Sequence, residues 1–199
     1  MKIVVVNFIS MDGVIQSPLA ESEDVSGDFT AGGWAGRLSD DTVGQFMQKS
    51  TMGAAGLLLG RVTYQNFVAT WSQASEDNPA VAAMNRIPKY VASRTLTTTE
   101  WVNSTILGPD IPTEIGKLRE LPGGDLVVFG SGDLLQTLSR HDLIDEYRLL
   151  FFPVILGKGK RMFTDDAAPA SFRLTDSVIS ENGVAIHTYN RIHNSPASR

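Results

Sequence analysis

The apolar pattern of this chain changes period along its length. Residues 2–9 form an apolar, β-branched run, the pattern of a strand buried on both faces of a sheet. Further strands are predicted at Ala55–Leu59, Lys89–Ser93, Thr105–Leu107, Asp125–Phe129 and Glu146–Phe152. Between them, helices are predicted from the Ser39-Asp40-Asp41 cap to Thr51, from Arg61 to just before Trp71, and over Asn78–Arg86, Thr113–Glu120 and Asp133–Arg140. Two late runs, Phe172–Ser180 and Val184–Asn190, are joined by Glu181-Asn182-Gly183, and Asn-Gly between strand-like runs signals a hairpin. Strands alternating with helices and closed by such a hairpin define an α/β domain with a mostly parallel sheet. Residues 1–192 are expected to form that single domain, with 193–199 a loose tail.

Two strand-to-helix junctions stand out from this pattern. Leu57-Leu58-Leu59-Gly60-Arg61-Val62-Thr63-Tyr64 and Leu126-Val127-Val128-Phe129-Gly130-Ser131-Gly132-Asp133 each run from an apolar strand through glycine into a helix. A helix N-terminus presents unpaired N–H groups and the positive end of the backbone dipole, and so attracts phosphate. Arg61 adds a cationic fork at the first junction, and Gly130 and Gly132 let backbone approach a ligand at the second. Two such turns in one domain suit a ligand with several phosphates, such as a dinucleotide. The bland readings stay open beside this one. Gly60 can serve as a tight turn, Arg61 can pair with a surface acid, and Gly130 and Gly132 can serve helix–sheet packing.

Composition narrows the picture. The chain has 199 residues, 42% hydrophobic and 20% charged, as in an ordinary globular domain. A net charge of −5 argues against nucleic acid as a partner. The absence of cysteine excludes disulfides, thiolate metal sites and cysteine nucleophiles. The N-terminal apolar run is too short for a signal peptide or a membrane span, so a cytoplasmic protein with no membrane partner is expected.

Other chemistries find little purchase. Ser131 lies between glycines, but Phe129 and Asp133 occupy the outer positions where a nucleophile elbow needs glycine. Gly159-Lys160-Arg161 lacks the hydroxyl of a nucleotide-hydrolase phosphate loop. His141, His187 and His193 fit no metal spacing, so no metal is expected. Lys158, Lys160 and Arg161 read as a solvated turn.

The ordered motifs resemble those of the dihydrofolate-reductase-like superfamily. Within it, the chain is most similar to the C-terminal reductase domain of bifunctional riboflavin-biosynthesis deaminase/reductases and its stand-alone relatives. The resemblance rests on Asn7 to Ile15, Leu59 to Tyr64, Lys89 to Leu96, Val127 to Gly132, and Asp145 through Gly159, in that order. It implies a three-layer fold with a central sheet of roughly eight strands, NADPH as cofactor, a small-molecule substrate, and a homodimer. It further implies that Gly60, Arg61 and Thr63 face the cofactor phosphates. Ser93, Arg94 and Thr95 would hold the 2′-phosphate region, and Gly130, Ser131 and Gly132 would pass under the pyrophosphate, with Asp133 and Leu134 opening the next helix. Arg61 and Arg94 together would favour NADP over NAD, because the extra phosphate needs extra positive charge.

The expected chemistry is hydride transfer to a small, pterin-like or pyrimidine-like acceptor. The alternative is a non-catalytic nucleotide-binding module of the same fold. The acidic residue of dihydrofolate reductases maps near Val43, which is not a carboxylate. Asp41 is then the candidate acid, with helix capping as its rival role. Asp12 and Gly13 belong to the loop expected to border the nicotinamide, where Asp12 can also simply set the turn. Trp34, after Gly32-Gly33, is read as an exposed aromatic on a lid covering a flat substrate. Phe46, Met47 and Trp71 are candidates for an apolar pocket wall.

Overall fold

The computed structural model describes residues 1–77, 79–130 and 132–192. Its strands are β1 (Lys2–Ser10), β2 (Ala54–Gly60), β3 (Lys89–Ala92), β4 (Ser104–Ile106), β5 (Asp125–Phe129), β6 (Glu146–Phe152), β7 (Phe172–Ile179) and β8 (Ala185–Arg191). The helices are α1 (Asp41–Met52), α2 (Arg61–Phe67), α3 (Pro79–Arg86), α4 (Ile111–Glu120) and α5 (Gly132–Arg140). One eight-stranded sheet runs β4-β3-β2-β5-β1-β6-β8-β7. Neighbours from β4 to β6 are parallel, while β8 pairs antiparallel with both β6 and β7. This is the three-layer dihydrofolate-reductase-like architecture that the motif order implied.

The central strands have no solvated face, which is why their sequences show no alternation. Ile3, Val4, Val5, Leu57, Leu58 and Leu59 are all fully buried. Val4, Val6, Leu57, Leu59 and Val127 pack with Val43 of α1, Tyr64 of α2 and Met84 of α3. Ile3, Val5, Leu58 and Val128 pack on the other face with Ile115 and Leu118 of α4 and Leu134, Leu135 and Leu138 of α5. The helices that follow the neighbouring strands β2 and β5 therefore leave to opposite faces. In an open α/β sheet that divergence opens a crevice at the carboxyl ends of the strands.

Local chemistry sets the element ends. Asp40 caps α1, its Oδ1 accepting from Val43 N at 3.1 Å and its Oδ2 from Asn182 N at 3.0 Å. Helix α4 begins two residues before the expected Thr113, because Asp110 accepts from Thr113 N and Pro112 is tolerated in a first turn. Helix α2 gives way after Phe67 to a π-helical turn over Val68–Ser72. Of the helix expected over Asn78–Arg86, Asn78 lies outside the described residues, as do 193–199. The hairpin is wider than a two-residue turn. Ser180 N donates to Val184 O at 2.9 Å, and Gly183 at φ +79° is its only residue of positive φ. With Gly183 N donating to Ser180 O at 3.0 Å, this is a three-residue loop over Glu181-Asn182-Gly183, a turn closed by a left-handed glycine.

The long irregular segment between β1 and α1 is packed rather than lid-like. Val14, Ile15, Phe29 and Trp34 are all buried in it. Trp34, expected to be exposed, is 9% accessible, donates its indole N–H to Gln16 O at 2.8 Å, and meets Phe152 edge-on. Its indole has an apolar body and one donor, and the interior satisfies both.

Candidate functional site

The carboxyl ends of β1, β2, β3 and β5 open into a cleft of about 860 Å³. Gly60, Arg61 and Thr63 line it from the β2–α2 junction, and Ser93, Arg94 and Thr95 from the segment after β3. Gly130, Gly132, Asp133 and Leu134 line it from the β5–α5 junction. All three sequence-predicted turns thus meet in one place. Ser131, between the two glycines, lies outside the described residues. Gly130 adopts φ +51°, and a Cβ there would sit 3.2 Å from Thr63 Oγ1, so this turn requires glycine both for its backbone and for its approach to α2.

Charge is unevenly committed around the cleft. Lys160 pairs with Asp24 at 2.7 Å, and Arg140 pairs with Asp166 at 2.9 Å. Arg61, by contrast, donates only to the neutral Gln65 Oε1 at 2.9 Å. Neither Arg61 nor Arg94 has a carboxylate partner among the described residues. Both guanidinium groups are exposed at the cleft wall. The inner end is apolar, formed by Val6, Phe8, Met47, Phe67 and Phe129. Two of the cleft's carboxyl groups are held in their charged form. Burial pushes Asp24 up, but Lys160 and the Ser26 hydrogen bonds outweigh it and leave Asp24 below the usual carboxylate range. Hydrogen bonds from Thr113 likewise hold Asp110 down.

Four predicted residues are not among those lining the cleft: Asp12, Gly13, Trp34 and Asp41. Asp12 clamps the segment after β6, accepting from Leu156 N at 3.1 Å and Gly157 N at 2.8 Å. The Ser10 hydroxyl at 2.7 Å is the main reason its pKa falls to about 2. Gly13 sits in the tight turn beside it, at φ +85°. Asp41 is exposed on the first turn of α1. Of the apolar wall candidates only Met47 reaches the cleft, whereas Phe46 and Trp71 pack against the core.

Several cleft residues carried no usable sequence signal. Lys160, read as part of a solvated turn, borders Gly132 because the segment after β6 folds back over α5. Gln16 holds that segment, accepting from Lys160 N at 2.9 Å while donating to Asp24 O and Ser26 O. Asn7, in the middle of the apolar β1 run, also lines the cleft.

The open α/β sheet has its crevice at the parallel strand ends, bordered by a glycine turn and by arginines. The sequence matches the RibD C-terminal domain family over residues 1–186, and the chain belongs to that family. It is 34% identical over 102 residues to the uncharacterized protein YyaP of Bacillus subtilis, a match spanning 51% of this chain and 53% of that protein. The chain thus aligns with about half the length of this relative. Among solved structures, a putative riboflavin biosynthesis protein from Shewanella sp. PV-4 superposes with a TM-score of 0.70 at 20% identity, covering 97% of this chain and 100% of that one. A pyrimidine reductase-like protein from Corynebacterium diphtheriae gives 0.65 at 12% identity, over 97% of this chain and 92% of that one. The dihydrofolate reductase of Enterococcus faecalis, solved with NADP(H) and RAB-propyl, gives 0.61 at 14% identity, over 96% of both chains. At these identities the likeness is one of fold.

Among the described residues, no group of acidic or histidine side chains could hold a metal ion. No helix among them is long and apolar enough to cross a membrane.

Proposed function

We propose that this protein is an NADPH-dependent reductase that transfers hydride to a small, planar acceptor of pterin-like or pyrimidine-like chemistry. The observation that carries the reading is the convergence of the Gly60-Arg61, Ser93-Arg94-Thr95 and Gly130–Gly132 turns on one cleft. The cleft's size falls within the usual range for cofactor sites. The residues present fit a phosphorylated dinucleotide. Arg61 and Arg94 have no competing carboxylate among the described residues, Gly130 admits close backbone approach, and the apolar inner end suits a ring.

The bound nicotinamide would supply the hydride. The protein's share is to bind, orient and exclude water. Arg61 would take phosphate oxygens in charge-assisted contacts, and Arg94 would do so at the end of β3. Phe8, Met47, Phe67 and Phe129 would keep water from the ring face. Asp24 and Asp110, held ionised, would not donate a proton at neutral pH.

The partner we propose for the outer edge of the sheet is a second copy of this chain. Edge strand β7 exposes Leu174 and Ile179 on one face and Val178 on the other, apolar surface that a homodimer would cover. Light scattering at the mass of a single chain would remove that part of the reading. The cofactor is tested by calorimetric titration with NADPH and then NADH. Micromolar binding that favours NADPH is expected; binding of neither would leave a reductase-type scaffold without its cofactor.

A further inference from the structure

One buried polar group in the cleft has no role in the fold. Asn7 is 5% exposed, and its amide Nδ2 has no hydrogen-bond partner among the described residues. It interrupts a strand whose other inner residues, Ile3 to Val6 and then Phe8 and Ile9, are all apolar and buried. Leaving a buried amide donor unpaired destabilises a fold, whereas an apolar group of the same shape at that place is neutral or stabilising. Packing alone would therefore prefer leucine.

Its position points to a ligand. Val6 is the last β1 residue paired with β5, opposite Phe129, so Asn7 is the first residue beyond the point where the two strands part at Gly130. On its other side Asn7 remains paired with Leu149 of β6, which fixes the backbone. Along β1 it shares the face of Ile3, Val5 and Ile9, which is covered by α5. Ile15 and Leu134 belong to that same layer and also line the cleft. The amide therefore stands in an apolar setting beside the turn assigned to the pyrophosphate, where a hydrogen bond is worth more than in water.

We infer that Asn7 recognises the carboxamide of the nicotinamide ring, an inference that rests on the reductase reading above. The ring lies one ribose away from the phosphates at Gly130, and its carboxamide offers the oxygen that an orphaned N–H requires. Asn7 is on this account a cofactor-binding residue whose apolar surroundings make its single polar contact selective for the nicotinamide end.

The test compares two ligands that share every phosphate and differ in the ring: NADPH and nicotinamide-free 2′-phospho-ADP-ribose. Calorimetric titration of Asn7→Leu should show NADPH binding weakened roughly tenfold, with 2′-phospho-ADP-ribose unchanged. The ligand-free variant should melt at or above the wild-type temperature, because an unpaired donor has been removed. Should leucine prevent folding, Asn7→Ala carries the same two-ligand comparison. Equal losses for both ligands, or no loss for either, while the wild type binds both, would overturn the inference and leave the reductase reading intact. A wild type that binds neither ligand would overturn both.

Discussion

The two ends of the parallel strands treat charge in opposite ways. At the amino ends, Glu146 of β6 is 4% exposed and lies between Lys2 of β1 and Arg148. Arg148 also reaches Asp125 of β5 at 2.6 Å, so three strands are tied by one closed set of ion pairs. Lys89, which opens β3, is wholly buried, yet its ammonium finds Asn85 O at 3.2 Å, Val102 O at 3.0 Å and the Trp101 ring at 4.1 Å. At the carboxyl ends, among the described residues, Arg61 and Arg94 stand without carboxylates and Asn7 Nδ2 without an acceptor. Charges at the amino ends find partners within the fold, while Arg61, Arg94 and Asn7 are left available for the cofactor proposed above. On the proposed reading, one sheet separates stability from recognition by position along its strands.

The largest expected effect comes from breaking the satisfied end. Glu146→Gln leaves Lys2 and Arg148 without their shared carboxylate and should cost about 3 kcal/mol in urea unfolding, the low end for breaking a buried pair because Lys2 is partly solvated. NADPH affinity should not change, since Glu146 is at the far end of the sheet. A loss of affinity without a loss of stability would reverse the assignment of the two ends.

At the unsatisfied end the pattern should invert. Arg61→Ala is expected to weaken NADPH roughly tenfold, the worth of one charge-assisted contact, while the melting temperature stays within experimental scatter. Among the described residues its partner is Gln65, one turn along α2, so the fold loses little with it. A variant that unfolded, or that bound NADPH as before, would place Arg61 with the structural charges.

The last effect is a slope with pH. Burial lowers the pKa of Lys89 to about 8 from an ordinary 10.5, despite carbonyls and a ring that favour the ammonium. Because the folded value is the lower one, the unfolded chain holds more protons between about pH 8 and 10.5, and stability from this group rises with pH across that window. Below pH 8 both states are protonated and the cost of burying the charge is fully present. The stability of the wild type relative to Lys89→Met should therefore improve from pH 8 to pH 10, as read by denaturant midpoints. A difference that stayed flat would mean that Lys89 remains charged in both states throughout.

The sequence by itself determined the alternation of elements, the parallel sheet and two turns of the cleft, at Gly60 and Gly130, because each is written locally; the Ser93–Thr95 turn came from the superfamily resemblance. A buried strand shows as an uninterrupted apolar run, and a strand-to-helix turn shows as glycine before polar residues; Asp125–Phe129 and Glu146–Phe152 fall on β5 and β6 residue for residue. The superfamily motifs, read in order, supplied the sheet's size. Only the tertiary structure decided that Trp34 turns inward, since nothing local distinguishes a loop tryptophan that finds Gln16 O and Phe152 from one left in water. Only it could bring Lys160 beside Gly132, part the strands at Asn7, or close Glu146 between Lys2 and Arg148. Those contacts join residues far apart in the chain, and a side chain's partners depend on what the fold delivers to it rather than on its neighbours in sequence.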